Sequence, residues 1–303
     1  MDSGPPTLLS QLASPAFEIE RPAQRSAPLV FASPHSGAEY PEAFVRGSSL
    51  DPLTLRKSED CFVDRLFAAA TTYGAVLIKA LFPRAYVDVN REPWELDPAM
   101  FAGALPSYAN TRSPRVAAGL GTIAKVVASG AEIYRDKLDF MEVKARINQC
   151  YEPYHAALQE LMAETREQFG FCILIDCHSM PSVGGPCDRD PGAPRMDIVL
   201  GDCFGTACAP IVTTRAETLL RRQGLAVTRN DPYAGGFTTR HYGRPHEGMH
   251  ALQIEMNRAL YMDEAKYQPH FGFEAMADKL TTFIAAMTAF TKQDLTPSWK
   301  SGR

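Results

Sequence analysis

The chain has 303 residues, of which 45% are hydrophobic, 22% charged and 10% aromatic, an ordinary composition for a globular α/β protein. A formal net charge of −4, with no basic tract, excludes a general nucleic-acid binder but leaves room for a local basic pocket that takes an anionic small molecule. No apolar run approaches the ~20 residues of a membrane span and the N-terminus lacks a basic-then-apolar signal pattern, so no membrane association and a cytoplasmic location are expected. The seven cysteines (Cys61, Cys150, Cys172, Cys177, Cys187, Cys203 and Cys208) form no C-x-x-C pair. Several lie inside apolar runs, which points to reduced, partly buried thiols.

In chain order, the first strand-like run is Leu29–Ala32, followed by S-P-H-S-G with His35. Phe62, Val63, Leu66, Phe67 and Ala70 then recur at helical spacing up to Gly74, and Glu59 and Asp60 open that helix. Strand-like Val76–Ile78 and Ala85–Val89 come next. Arg84 precedes the second of them, and Asn90 and Arg91 follow it in V-D-V-N-R. V-A-A-G-L-G-T-I (Val116–Ile123) superficially resembles a phosphate loop. It lacks a preceding strand and the Lys-Ser/Thr ending, and reads as a turn or substrate-side loop.

A helical pattern through Ile147, Cys150, Tyr151, Tyr154, Leu158, Leu161 and Met162 carries Pro153, which predicts a kink. The run Cys172–Ile175 leads into D-C-H-S-M-P, which contains His178. Asp197–Leu200, Leu225–Thr228 and Ala251–Glu255 complete the predicted strands, and Phe273 to Met287 forms the clearest helical stripe. Between the last two strands lies a loop with Gly235, Gly236 and Gly243 beside Arg240 and Arg244, suited to a lid or to an anion. Continuous apolar strands alternating with helices predict one three-layer α/β/α domain over residues 1–303, with a mixed, largely parallel central sheet.

In such sheets ligands sit beyond the carboxyl ends of the strands, where His35, Asn90–Arg91 and His178 fall. Each has a plainer reading. The histidines would then bond loops, Asn90–Arg91 would pair with Glu92, Arg84 would be a surface residue, and Glu255 would pair with Arg258. His155 and His270 read as surface positions, and His250 as part of the glycine-rich loop. Convergence is the favoured reading: His35, His178 and an acid would bind a divalent metal, with zinc the expected ion. Glu59 and Asp60 both qualify as that acid, and helix capping is the rival role for each. Asp176 and His178 share one side of their strand, so Asp176 is placed to orient a neighbour. Cys177 points to the opposite side, which disfavours a thiol–imidazole dyad.

S-P-H-S-G, R-K-S-E-D-x-x-V-D, V-D-V-N-R-E, D-C-H-S-M-P, V-L-G-D-x-x-G, G-G-F-T-T-R and Q-I-E-M-N-R-x-L-Y-M together resemble the N-formylglutamate amidohydrolase family, from about Ala32 to Asp263. The resemblance implies a zinc-dependent hydrolase with the phosphorylase/hydrolase-like, zinc exopeptidase-like fold of zinc carboxypeptidases and aspartoacylase-like deacylases. It also implies conversion of N-formyl-L-glutamate to formate and L-glutamate, a step of histidine degradation. The implied parts are His35, Glu59 or Asp60, and His178 as metal ligands and Glu255 as general base. Arg84 would polarise the carbonyl, and Asn90, Arg91 and Arg240 would hold substrate carboxylates. One departure stands out: carboxypeptidases place an acid three residues after the first histidine, where this chain has Ala38. The resemblance favours Asp60 as the substitute, and Glu59 stays open. Alternatives are a deacylase or peptidase acting on another small N-acyl amino acid or anionic peptide, and a non-catalytic metal- or amino-acid-binding protein.

Overall fold

The computed structural model describes residues 15–186 and 188–295. Its strands β1 (Phe17–Glu20), β2 (Leu29–Ser33), β3 (Val76–Ala80), β4 (Cys172–Met180), β5 (Ile198–Gly201), β6 (Val227–Arg229) and β7 (Met249–Asn257) form one sheet in the order β1-β3-β2-β4-β7-β5-β6. The centre, β3-β2-β4-β7, is parallel. β1 runs antiparallel to β3 and β5 antiparallel to β7, while β6 follows β5 in parallel. The sheet is therefore mixed with a parallel middle, as expected.

Strand alternation divides the core in two. Phe31, Ile173, Ile175, Cys177, Leu252, Ile254 and Met256 face the helices Pro210–Arg222 and Gly272–Thr288. Val30, Ala32, Ile78, Cys172, Leu174 and Ala251 face the helix Glu152–Phe169. Burial on both faces explains why these strands read as unbroken apolar runs. On the second face the pattern changes towards the carboxyl ends of β4 and β7. Leu174 and Ala251 give way to the paired Asp176 and Gln253, then to the paired His178 and Glu255. Polar groups at that depth require partners, and the site is built from them.

Four expectations are corrected. Ala85–Val89 is a buried turn, not a strand. Its backbone is satisfied by Asp88 N–H on the Thr122 carbonyl and by His155 Nε2 on the Val89 carbonyl, so no ladder is needed. The long helical pattern is interrupted by a π-helical turn at Ile147–Tyr151, between the helix Phe140–Arg146 and Glu152–Phe169. Pro153 lacks the N–H that would close an ordinary turn there. The wide turn places the Tyr151 hydroxyl on the Arg91 carbonyl, 2.7 Å away. His155 is thus no surface residue. Burial pushes its pKa down to about 4, and it bridges Val89 and the Tyr242 hydroxyl as a neutral ring. His250 lies in β7 rather than in the loop before it, and accepts from the Ala209 N–H.

The edge strand β1 escapes the sequence reading because F-E-I-E alternates apolar and acidic residues instead of forming a continuous apolar run. Lys79 ties it down by pairing with Glu18 and Glu20. The six described cysteines are free, five of them buried; Cys187 lies outside the described residues.

Candidate metal centre and active site

β4 runs between β2 and β7, so His178 near its end has His35 on one side and Glu255 on the other. His35 follows β2 by two residues, past Pro34, which cannot extend the ladder. Asp60 enters from the extended link ahead of the helix Val63–Leu66, and its N–H donates to the His35 carbonyl.

His35, Asp60 and His178 are buried together and form a group able to hold a metal ion. Oδ2 of Asp60 lies 2.9 Å from Nδ1 of His178 and 3.3 Å from Nδ1 of His35. Two ligand atoms ~2.0–2.1 Å from a tetrahedral zinc lie about 3.3 Å apart, so the donor set fits such an ion. The far nitrogens are also engaged. Nε2 of His35 lies 2.9 Å from Oδ1 of Asp88. Nε2 of His178 lies 3.0 Å from Oδ1 of Asp176, an oxygen with no other hydrogen-bond partner among the described residues. A carboxylate behind each imidazole fixes the tautomer that leaves Nδ1 as the electron-pair donor.

The electrostatics follow from this packing. Burial opposes a charged Asp60, yet the hydrogen bonds and charges of His178 and His35 outweigh it and hold its carboxyl well below the usual range. Burial likewise opposes an imidazolium at His178, but Asp176, Asp60 and Glu255 push its pKa well up. A proton and a cation therefore compete for the same place. Glu255 behaves oppositely: burial, with the Asp60 charge adding to it, pushes its pKa up to about 7 against the lowering effect of His178, Arg84 and Arg258. Such a carboxyl is poised to gain and lose a proton near neutrality.

The turn that opens the helix Phe237–Tyr242 locks these pieces together. The Gly236 N–H donates to Oε1 of Gln253 (2.7 Å), whose Nε2 donates to Glu255 (2.9 Å). The Thr238 N–H donates to Oδ1 of Asn90 (2.8 Å), whose Nδ2 lies 3.2 Å from Nε2 of His178. A Cβ on Gly236 would sit 2.3 Å from both Oδ1 and Nδ2 of Asn90. Gly236→Ala is therefore expected to displace either Asn90 or Gln253. Misplacement by about 1 Å corresponds to a loss on the order of 10²-fold in kcat/KM, with the protein still folded. Steady-state kinetics alongside thermal unfolding check this.

Of the residues singled out in the sequence, His35, Asp60, His178 and Glu255 come together. Arg84 joins them through Asp88 (Nε to Oδ2, 2.9 Å). Burial alone would favour its neutral form, but the charges of Asp88, Asp60 and Glu255 hold it charged. Glu59 stands apart, although just as buried. Its carboxylate takes Arg56 Nε, the Tyr40 hydroxyl and the Cys61 thiol, which is a structural cluster. Neither acid caps the helix Val63–Leu66, which begins after Phe62 in a left-handed conformation.

The Asn90–Arg91 pair is engaged with neighbours of its own. Oδ1 of Asn90 is taken by the Thr238 N–H, while its Nδ2 lies against Nε2 of His178. Arg91 sends Nε to the Leu120 carbonyl, Nη1 to the Asn90 carbonyl and Nη2 towards Asp88. Arg240 is exposed, with its Nη1 on the Gly235 carbonyl. Asp88, Gln253 and the true partner of Arg258 were missed by sequence reasoning. Asp88 alone carried a signal, as the acid two positions before Asn90.

A model of the N-formylglutamate amidohydrolase family matches residues 27–262, from before β2 to beyond β7. The chain belongs to that family. N-formylglutamate deformylases of Pseudomonas putida and Pseudomonas aeruginosa are 28% and 29% identical to it, covering 79% and 82% of this chain and 83% and 86% of theirs. The crystal structure of N-formylglutamate amidohydrolase from Ralstonia eutropha JMP134 matches with a TM-score of 0.84 at 36% identity, over 92% of this chain and 99% of that one. The part matched by the N-formylglutamate amidohydrolase model contains every residue of the cluster, from His35 to Arg258. The helix Gly272–Thr288, which covers one face of the sheet, lies beyond it.

Proposed function

We propose that this protein hydrolyses N-formyl-L-glutamate to formate and L-glutamate, in the cytoplasm and with zinc as its metal. The observation that carries this reading is the His35–Asp60–His178 group with Glu255 paired beside His178, in a chain of this family. When bound, the cation supplies Lewis-acid polarisation of the amide and makes water more acidic. Glu255 takes a proton from the attacking water and passes it to the leaving amine as the formyl C–N bond breaks. Nε of Arg84 is held by Asp88, while its terminal nitrogens are available to the carbonyl oxygen as charge develops there.

The substrate is a dianion, and among the described residues near the site Arg84, Arg240 and Arg115, which feels the charges of Arg84, Asp88 and Arg240, have guanidinium nitrogens to spare for it. Arg91 acts behind the site by holding Asp88, and Asn90 by fixing the Thr238 turn against it. Formate release measured across a substrate panel tests this reading. N-formylglutamate is expected to exceed N-formyl amino acids with neutral side chains by about 10²-fold or more in kcat/KM, because an unmatched arginine fork penalises the wrong side chain. Equal turnover of neutral substrates, or a preference for acetyl over formyl, would assign the site to another N-acyl amino acid.

A further inference from the structure

We propose that Arg258 is the positioning residue of the metal centre, deciding which oxygen of Asp60 is presented to the two histidines. The sequence suggested Arg258 as a partner for Glu255. Instead, its Nη2 donates to Oδ1 of Asp60 at 3.1 Å, the oxygen facing away from the imidazole nitrogens. Its Nε donates to the Ser179 hydroxyl at 3.1 Å, next to His178, and its Nη1 to the Lys57 carbonyl at 3.3 Å, in the turn that leads to Asp60. Arg258 is 5% exposed and lies directly after β7, in a short 3-10 turn started by the Asn257 side chain on the Ala259 N–H.

The physical point concerns symmetry. An aspartate has two equivalent oxygens and a broad, two-fold terminal torsion, so by itself it can offer either oxygen or both. Arg258 removes that equivalence. Oδ1 is occupied by a charge-assisted hydrogen bond, and the Ser179 hydroxyl lies a further 3.5 Å from it. Only Oδ2 is left facing Nδ1 of both histidines. A planar fork is needed, because a single ammonium cannot reach Asp60, Ser179 and Lys57 at once. One side chain thus ties the loop that carries Asp60 to the strand that carries His178.

The inference rests on reading His35, Asp60 and His178 as metal ligands, and the test separates the two. Zinc affinity is measured by competition with a chromophoric chelator for the wild type, Arg258→Lys, Arg258→Met, Asp60→Ala and Asp60→Ala/Arg258→Met. Loss of a partner that orients a ligand weakens metal binding about 10–100-fold. That loss is expected for Arg258→Met, with a smaller one for Arg258→Lys. In the Asp60→Ala background the second substitution should change affinity by less than about twofold, because its target is already gone. Folded Arg258 variants with wild-type affinity would overturn the proposal, as would an undiminished effect in the Asp60→Ala background. A wild type that binds no zinc would remove the metal reading and the proposal with it. Should the variants not fold, the zinc-bound wild-type crystal structure decides. Asp60 bound through Oδ2 alone, with Arg258 on Oδ1, supports the role; a bidentate Asp60 with Arg258 turned away contradicts it.

Discussion

Glutamine at position 255 is expected to lower kcat by about 10²–10⁴-fold, the usual contribution of a positioned general base, while folding and zinc content stay unchanged. The substitution keeps shape and volume. Gln253, which donates 2.9 Å to Oε1, can still find a carbonyl oxygen there. What disappears is the ability to accept a proton. The pH profile supplies a second signature. Burial pushes the Glu255 pKa up to about 7, and only the ionised form can act as base. On the acid side of the inflection kcat/KM therefore falls about tenfold per pH unit, and a neighbouring cation, which favours the carboxylate, places that inflection at or below about 7. The residual activity of Glu255→Gln should lack this limb. Wild-type turnover in the variant, or an unchanged acid limb, would rule out Glu255 as the base.

Asp60→Asn and His178→Ala are each expected to weaken zinc binding by more than about 100-fold, beyond the range typical of residues that merely orient a ligand. Formate release at equal protein should fall in proportion to the zinc lost. The neighbouring acid is the control. Glu59→Gln should keep wild-type zinc affinity, since its carboxylate is bonded to Arg56, Tyr40 and Cys61 and reaches neither histidine. It should instead unfold at lower temperature, because a largely buried ion pair has been broken. A chelator-competition titration and a thermal melt on the same samples separate the two effects. Zinc affinity lost in Glu59→Gln but kept in Asp60→Asn would reverse the assignment.

These two acids also show where the sequence stops being informative. Both are adjacent, acidic and buried. The choice between them is made by Arg56 and Tyr40 on one side and by Arg258, His35 and His178 on the other, which are contacts across the fold. His178 and Glu255 were legible because period-two alternation on long buried strands fixes which side a residue faces. That held for Asp176 and Cys177 as well, which lie on opposite faces of β4. Ala85–Val89 misled for a physical reason. An apolar run rich in β-branched and aromatic residues reads as a strand, whereas its backbone is paired with Pro83, Thr122 and His155. The Thr238 N–H that holds Oδ1 of Asn90 lies 148 residues further on, beyond the reach of any local pattern.

The most direct test of the account is formate release from N-formylglutamate by the purified protein, measured as prepared, after chelation, and after zinc is returned. The account predicts release that chelation abolishes and zinc restores. Release that persists at full rate in the metal-free protein would contradict it, as would zinc bound at His35, Asp60 and His178 with no release at all.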